Sequence, residues 1–392
     1  MKTQTTLVHA GDRQKLGDFV PVSTPVYASS SFFYDTMEEL ADVFADKQPG
    51  QTYARLGNPS AAALEQQVAA LEGTDGAFAT ASGMAAVHLA LMAALVDRRQ
   101  SIVAADVLYG GSLELLRAVL PEAGIDVRFC DFCDLDALEA AVEETRPALL
   151  ITETVTNPCL RVADLDRVSE IAKAAGALLL VDNTFTPLLI KPFDHGADMV
   201  IHSATKYLGG HGDVLAGIVA APEEHHETLR FTHRCLGGNL GPFEAFLVMR
   251  GIKTLPLRMR HHCDNAQMVF EALNGHPGLE RVLFPGDPNH PDRDTVAALL
   301  PSGKVGGALC VDVKGGEEGA LDFSDRLHLV ATSASIGDLT TLAIHPVSTT
   351  HRMLTPEERE DLDITDGLVR LSIGAEHIDD IVADLTQALE PA

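Results

Sequence analysis

The sequence lacks several features that would assign it to a special class of protein. It has no tryptophan, and only 5% of its 392 residues are aromatic, so its core must be built mainly from Ala, Val, Leu and Ile. Six scattered cysteines are too few for a disulfide framework. The longest apolar run, residues 85–96, is too short to cross a bilayer, and residues 1–4 lack the apolar stretch of a signal peptide. We therefore expect a cytoplasmic protein.

Basic residues are also scarce. There are 29 Lys and Arg against 56 Asp and Glu, which gives a formal net charge of −27. A chain this acidic repels nucleic acids and anionic membranes. No clustered run of charge indicates a docking face, so the charge is interpreted as a source of solubility.

The length suits two domains that share an interface. Residues 1–60 have little periodicity apart from a predicted helix over 37–44, and we expect them to run over the surface of a neighbouring subunit. Residues 61–258 alternate apolar runs with helical periods, which predicts βαβ units, a mainly parallel sheet and an α/β fold. Residues 259–392 are predicted to form a smaller α+β domain.

The predicted elements are regularly spaced in the large domain. Its predicted strands are residues 101–105, 127–130, 148–152, 177–181, 199–201 and 215–220, and its helices include residues 85–95, 113–120, 135–142 and 165–174. In the last region, strands are predicted over 306–313 and 368–373, and helices over 315–327 and 378–389. Ligands of such sheets bind where strand ends meet loops.

Two charged residues follow predicted strands of this sheet. Asp182 ends an apolar strand, where it is either a helix-capping residue or a carboxylate that holds a pyridinium nitrogen protonated. Lys206 follows the next strand, after the hydroxyls of Ser203 and Thr205 and before two glycines. Burial lowers the pKa of a lysine and makes it a competent nucleophile and base. Both residues can therefore reach one pocket.

A third element is typical of anion binding. Ser82-Gly83-Met84 opens a predicted helix, whose N-terminus offers free N–H groups and a favourable dipole to a phosphate. A capped helix without any ligand explains the same residues equally well.

Taken in order, these motifs resemble one enzyme family. They are Ser82-Gly-Met, Tyr109-Gly-Gly-Ser, Thr156-Asn-Pro, Asp182-Asn-Thr-Phe and His202-Ser-Ala-Thr-Lys-Tyr-Leu-Gly-Gly-His. The set resembles the Cys/Met-metabolism enzymes that depend on pyridoxal 5′-phosphate (PLP), including cystathionine γ-synthase, cystathionine γ-lyase, methionine γ-lyase and O-acetylhomoserine sulfhydrylase. The resemblance covers residues 3–389 and implies the fold type I, aspartate-aminotransferase-like architecture.

The resemblance implies a role for each motif residue. Lys206 would bind PLP covalently and transfer protons, Asp182 would pair with the ring nitrogen, and Tyr109 would stack on the ring and act as acid or base. The implied phosphate ligands are Ser82, Gly83, Met84, Ser203 and Thr205, and Asn157 would lie near the ring hydroxyl. Tyr53 and Arg55 would reach the site of a neighbouring subunit, with Tyr53 also near the substrate, which implies a homodimer or homotetramer. Ser335 and Arg370 would hold the substrate carboxylate.

The implied reaction is γ-elimination or γ-replacement on a sulfur amino acid or a homoserine ester. The first hypothesis is an enzyme similar to cystathionine γ-lyase or γ-synthase. Subgroup features conflict. Gly111 stands where methionine γ-lyases usually carry Cys, whereas residues 355–359 resemble that subgroup. Ile344 stands where cystathionine enzymes often carry Glu, and residues 344–351 resemble the sulfhydrylases, which are typically longer. Methionine γ-lyase, sulfhydrylase, β-lyase and carbon-nucleophile chemistry therefore stay open, as does a non-catalytic protein that keeps the fold.

Other residues with chemical potential are interpreted as structural. Cys130 and Cys133 have the spacing of a redox or zinc pair but no second pair, so no metal site is predicted. The pairs at 225–226 and 261–262 are predicted to be surface histidines, because they lie in polar stretches. Lys253 is predicted to be solvated.

Overall fold

The computed structural model describes residues 1–13 and 18–390. It opens with α1 (Thr3–His9), α2 (Met37–Phe44) and α3 (Pro59–Glu72). The helix predicted over 37–44 is confirmed, and a capping box between Thr36 and Glu39 explains where it begins. Around it the chain is mostly irregular, and large apolar side chains such as Val22 and Phe33 are almost fully exposed.

A seven-stranded sheet forms the centre of the molecule. Its strands are β1 (Gly76–Thr80), β2 (Ser101–Ala105), β3 (Asp126–Cys130), β4 (Leu149–Glu153), β5 (Leu178–Asp182), β6 (Met199–His202) and β7 (Gly217–Ala221). The strand order is β1-β7-β6-β5-β4-β2-β3, and only β7 runs antiparallel to its neighbours. The mainly parallel sheet and the α/β fold are thus confirmed. Strands β2, β4 and β7 are buried along their whole length, which explains their continuous apolar runs.

Helices connect and cover these strands. They are α4 (Gly83–Ala94), α5 (Gly110–Glu114), α6 (Leu120–Glu122), α7 (Leu135–Thr145), α8 (Leu165–Ala175), α9 (His226–Leu236), α10 (Pro242–Ile252) and α11 (Leu255–Leu273). The helix predicted over 113–120 begins earlier, at Gly110, and a π-helical turn, Leu115–Val119, separates α5 from α6. Side-chain caps mark several starts, among them Ser82 for α4 and Asp164 for α8.

The last third of the chain forms a second, five-stranded sheet. Its elements are β8 (Leu279–Leu283), α12 (Arg293–Leu299), β9 (Ala308–Val313), α13 (Gly316–Asp325), β10 (Ala331–Thr332), β11 (Leu342–Ile344), α14 (Pro356–Asp361), β12 (Leu368–Ser372) and α15 (Ile378–Leu389). The order is β10-β11-β12-β9-β8, antiparallel except for β10 and β11. The domain limits at residues 60 and 258 stay predictions.

One predicted surface residue is buried. His262 lies on α11, its Nδ1 is 2.7 Å from the carbonyl oxygen of Ile373, and its ring meets the edge of Tyr207. The prediction for His262 is therefore wrong. The polar stretch of α11 hid this residue, because one face of the helix is buried. There the carbonyl oxygen supplies the partner that a buried ring nitrogen needs. Burial lowers the pKa of His262 to about 4, so the ring is neutral.

No helix in the described part of the chain combines the length and the apolar character that a membrane crossing requires.

Candidate active site

A cleft opens at the carboxyl ends of the parallel strands, and residues of the last third of the chain complete its lining. All but two of the predicted site residues line it together. They are Ser82, Gly83, Met84, Tyr109, Asn157, Asp182, Ser203, Thr205, Lys206, Ser335 and Arg370. Residues separated by nearly 290 positions in the chain therefore contribute to one pocket.

Lys206 lies in the turn that follows β6. Its Nζ donates to Ser335 Oγ over 3.1 Å. Burial, and secondarily the positive charge of Arg370, lowers the pKa of Lys206 to about 8. A substantial fraction of this amine is therefore neutral near physiological pH, as nucleophilic attack and proton abstraction require.

Asp182 is the last residue of β5, the strand that pairs with β6, and it lines the cleft together with Lys206. Its Oδ1 accepts hydrogen bonds from the backbone N–H and the hydroxyl of Thr184. Burial raises the pKa of Asp182, and the two bonds from Thr184 oppose that rise. A cation at this carboxyl would stabilise the ionised form. The site thus suits a protonated ring nitrogen.

The loop before α4 forms a narrow cradle. Ser82 Oγ accepts from the N–H of Ala85, which leaves the N–H groups of Gly83 and Met84 at the open end of the helix. A Cβ added at Gly83 would lie 2.8 Å from both Cβ and Oγ of Ser203. Only glycine fits there, and the helix dipole favours an anion at this point. The cradle therefore fits the phosphate of PLP.

Thr205 is less available than the motif implies. Its hydroxyl donates to the carbonyl oxygen of Ala216 over 3.1 Å and accepts from the N–H of the same residue over 3.0 Å. A phosphate needs hydrogen-bond donors, and the hydroxyl proton of Thr205 is directed elsewhere. Thr205 would have to exchange the bond to Ala216 in order to serve as a ligand.

Tyr109 caps the start of α5 at the mouth of the cleft. Its side chain is 44% exposed, and its backbone N–H donates to Glu153 Oε1 over 2.7 Å. A Cβ added at Gly111 would lie 2.8 Å from Tyr109 Cε1 and 3.1 Å from Met84 Sδ. The absence of a side chain at Gly111 therefore sets the position that the Tyr109 ring adopts.

Arg370 enters the cleft from β12 of the second sheet. It donates through one terminal nitrogen to Asn157 Oδ1 over 2.7 Å and through the other to the carbonyl oxygen of Ser335 over 3.1 Å. Its Nε is buried and has no hydrogen-bond partner within residues 1–13 and 18–390. A guanidinium with an unused donor in a largely apolar cleft is suited to bind a carboxylate.

Tyr53 and Arg55 do not reach this cleft within one chain. Arg55 donates to the carbonyl oxygen of Arg234 over 2.8 Å, and its guanidinium carbon lies 5.8 Å from the centre of the Tyr53 ring. Arg55 lines a separate cleft beside α9, and the Tyr53 side chain is 48% exposed.

Three further residues shape the site without belonging to the predicted set. Glu153 ends β4 beside Asp182, Thr184 binds Asp182, and His351 is buried with its Nε2 unpaired among the residues described. A signal existed for Glu153, because it ends an apolar strand as Asp182 does. Thr184 follows Asp182 by two residues, a spacing typical of local carboxylate turns. His351 carries no such local signal.

Comparison with known proteins places these observations in context. The family model described as "Cys/Met metabolism PLP-dependent enzyme" matches residues 4–390. The L-methionine γ-lyase of Fusobacterium nucleatum subsp. polymorphum is 40% identical over 390 residues, which cover 98% of this chain and 97% of that protein.

Comparison with solved structures gives similar enzymes. Cystathionine γ-synthase from Xanthomonas oryzae pv. oryzae, in complex with aminoacrylate and cysteine, has a TM-score of 0.92 and 36% identity, covering 99% of this chain and 98% of that one. A Campylobacter jejuni protein assigned as an O-acetylhomoserine (thiol)-lyase contains N′-pyridoxyl-lysine-5′-monophosphate. Its TM-score is 0.93 at 29% identity, with full coverage of both chains.

Proposed function

The chain belongs to the family of Cys/Met-metabolism PLP-dependent enzymes, and from this premise we propose that it eliminates the γ-substituent of methionine or a similar uncharged thioether. The chain is a PLP-dependent enzyme of γ-elimination or γ-replacement chemistry on sulfur amino acids or homoserine esters. The proposal concerns the substrate. With methionine and water, the products would be methanethiol, ammonia and 2-oxobutanoate.

The pairing of Ile344 with Arg370 carries this proposal. The two residues lie directly opposite each other on β11 and β12, so their side chains share one face. Ile344 is buried and therefore places an aliphatic group beside the guanidinium that we assign to the substrate carboxylate. The γ-substituent of cystathionine has its own ammonium and carboxylate groups. Burying these charges without partners costs several kcal/mol, whereas a methylthio group has no such cost.

The residues that line the cleft, among them Arg370, support the same substrate class. Four of the described residues that line it are charged, and each of them has a hydrogen-bond partner within the chain. These four are Glu153, Asp182, Lys206 and Arg370. Much of the remaining lining is apolar, and it includes Val87, Phe185, Leu215, Ala334 and Ile336.

We assign roles to the site residues as follows. When bound, PLP supplies an electron sink that stabilises negative charge at the carbon next to the amino group. Asp182 would keep the ring nitrogen protonated, and Arg370 would orient the substrate through its carboxylate. Lys206 Nζ would hold the cofactor and, once released, move the proton of that carbon. Tyr109 would cover the ring.

The phosphate would rest on the cradle before α4. Gly83 and Met84 would donate backbone N–H groups to it, and the hydroxyls of Ser82 and Ser203 would add donors. Thr205 would contribute after releasing Ala216. Asn157 would face the ring hydroxyl while holding Arg370.

We also propose that the active enzyme is a homo-oligomer, a dimer or a tetramer, in which Tyr53 and Arg55 complete the site of a neighbour. Their distance from the cleft of their own chain supports this proposal. The strong exposure of Val22, Phe33 and Met37 in the same segment also leaves apolar side chains that a neighbouring copy could cover. A cytoplasmic location is proposed from the sequence composition alone.

A substrate panel tests the proposal. Purified holoenzyme is incubated separately with methionine, cystathionine and O-acetylhomoserine, with and without a thiol, and 2-oxobutanoate and thioethers are measured. We expect methionine to give 2-oxobutanoate with the highest kcat/KM among substrates without added thiol. A higher kcat/KM with cystathionine would contradict the proposed substrate class. In the variant Ile344→Glu, we expect kcat/KM for cystathionine to rise relative to kcat/KM for methionine.

A second candidate is γ-replacement on an O-acylhomoserine by a thiol. The lack of a side chain at Gly111 favours it, because methionine γ-lyases usually carry Cys at this position. Thioether formation from O-acetylhomoserine at a higher kcat/KM than methionine breakdown would favour this candidate.

A further inference from the structure

Glu153 joins the two loops that meet over the cleft. It is the last residue of β4, and its side chain is almost fully buried. Its Oε1 accepts from the backbone N–H of Tyr109 over 2.7 Å, and its Oε2 accepts from the backbone N–H of Asn157 over 3.0 Å. The first donor follows β2 and the second follows β4, so one carboxylate links the loops after two neighbouring strands.

Each donor belongs to a residue that faces the site. Tyr109 carries the exposed ring at the mouth of the cleft. Asn157 accepts from Arg370, which donates to the carbonyl oxygen of Ser335, and the hydroxyl of Ser335 accepts from Lys206. A continuous series of hydrogen bonds therefore runs from Glu153 to the reactive amine.

Burying Glu153 beside a second carboxyl group costs free energy, which argues against an incidental role. Glu153 pairs in register with Asp182 on β5, so two buried carboxyl groups lie side by side. Burial raises the pKa of Glu153 well above its ordinary value, and the charge of Asp182 raises it further. The N–H groups of Tyr109 and Asn157 oppose both effects. An amide or hydroxyl would avoid the charge but would not offer two acceptors in the same place.

We propose that Glu153 is a positioning residue that fixes the Tyr109 ring and the Asn157 side chain together, and through them the cofactor and Arg370. The proposal rests on the proposed function in one respect, since it takes Tyr109 as a cofactor contact and Arg370 as the substrate-carboxylate contact. It does not depend on which γ-substituent the enzyme removes.

Glu153→Gln is the sharpest variant. The amide has nearly the same shape, but one of its two end groups is a donor, so one backbone N–H must lose its acceptor. We expect cofactor affinity to fall by about tenfold or more, which is the effect of one lost bond to a charged acceptor. We also expect a weaker visible circular dichroism per bound cofactor and a higher KM. Glu153→Asp, which keeps both acceptors on a shorter stem, should fall between this variant and the wild type.

Asp384→Asn is the matched control. Asp384 lies on α15 and accepts from the backbone N–H groups of His328, Leu329 and Val330 at 2.8–3.2 Å. The same carboxylate-to-amide change there should lower the melting temperature and leave cofactor affinity, the visible signal and KM as in the wild type.

The outcomes separate the possible roles. A lower melting temperature for Glu153→Gln with wild-type cofactor affinity, visible signal and KM would reduce Glu153 to a structural residue and overturn the proposal. Equal cofactor losses in Asp384→Asn would overturn it as well. Cofactor affinity and circular dichroism are measured without substrate, so a failure of the proposed substrate class leaves them unaffected. If Glu153→Gln does not fold, the same measurements on Glu153→Asp decide the question.

Discussion

Two regions of the molecule differ in whether their side chains find partners within one chain. They are the cleft edge of the large sheet and the segment formed by residues 18–58. At the cleft edge, buried polar groups have partners: Asp182 binds Thr184, Glu153 binds two backbone N–H groups, and Lys206 binds Ser335. In the N-terminal segment, by contrast, Phe33 is fully exposed and Tyr53 is half exposed.

The two regions therefore indicate different contributions to function. The cleft edge supplies a lysine, a carboxylate and a phosphate cradle, so the chemistry is built into a single chain. The N-terminal segment supplies an aromatic side chain and a guanidinium that do not reach the cleft of their own chain. This contrast is the basis of the proposal that a second copy contributes Tyr53 and Arg55 to the cleft.

The largest effect is expected at the cleft edge. Lys206→Ala should lower kcat at least about 10³-fold, because it removes both the covalent attachment of the cofactor and a proton-transferring group. Activity and visible absorption measure these two losses. Lys314→Ala, at an exposed lysine, is the control and should behave as the wild type. Full activity of Lys206→Ala would mean that the chemistry takes place elsewhere.

The next effect tests the N-terminal segment. Arg55→Ala should weaken cofactor binding by about 10- to 100-fold, since a hydrogen bond from a charged donor contributes about 1.5–3 kcal/mol. Equilibrium dialysis of PLP measures this loss. Unchanged affinity would show that Arg55 does not contact the cofactor of any subunit.

Hybrids of the two variants distinguish a neighbour's site from the chain's own. Inactive Lys206→Ala and weakened Arg55→Ala are unfolded together and refolded as mixed oligomers. If Arg55 serves a neighbour across a two-fold axis, half of the dimers are mixed and each contains one intact site, which gives about a quarter of wild-type activity. If Arg55 serves its own chain, no intact site forms, and the activity does not exceed that of the Arg55→Ala subunits alone.

The sequence predicted the cleft edge much better than the N-terminal segment. Strands β2 to β6 were predicted to within two residues at each end, because buried parallel strands read as continuous apolar runs. Strands β1, β8, β10 and β11 escaped prediction. β10 and β11 have only two and three residues, and β8 is only partly buried, so it has no continuous apolar run. Local motifs predicted the residues that strand ends bring together.

Long-range pairings could not be predicted in this way. The bond from Asn157 to Arg370 spans 213 positions, and the burial of His262 depends on both sheets. Neither leaves a local pattern. In the N-terminal segment, the sequence pattern predicted only the helix over 37–44, and the roles of Tyr53 and Arg55 were predicted by resemblance alone.

At the cleft edge, we expect pH to change the rate at which Lys206 binds PLP by about tenfold per unit. The pKa of Lys206 is lowered to about 8, so its neutral form predominates above that pH and falls about tenfold per unit below it. The rate at which apoenzyme attaches PLP should therefore rise with pH and level off above about 8. Stopped-flow absorption measures this rate. A rate that kept rising about tenfold per unit well above pH 8 would contradict the lowered pKa, because an ordinary lysine is still mostly protonated there.

Arg370 supplies part of this shift. Its positive charge disfavours a protonated Lys206, so Arg370→Gln should move the midpoint above 8. Arg326→Gln, at an arginine of the C-terminal region that binds Gln387, should leave it in place.

The smallest effect is expected for a substitution of Gly111, which lies beside the Tyr109 ring. A Cβ at Gly111 would lie 2.8 Å from Tyr109 Cε1, so Gly111→Ala must displace the ring. The ring is partly exposed and can move outward, so we expect only a few-fold fall in cofactor affinity and kcat. Gly238→Ala, whose added Cβ makes an ordinary 3.4 Å contact, should change neither. Wild-type values for Gly111→Ala would show that the position of the Tyr109 ring does not depend on the space beside it.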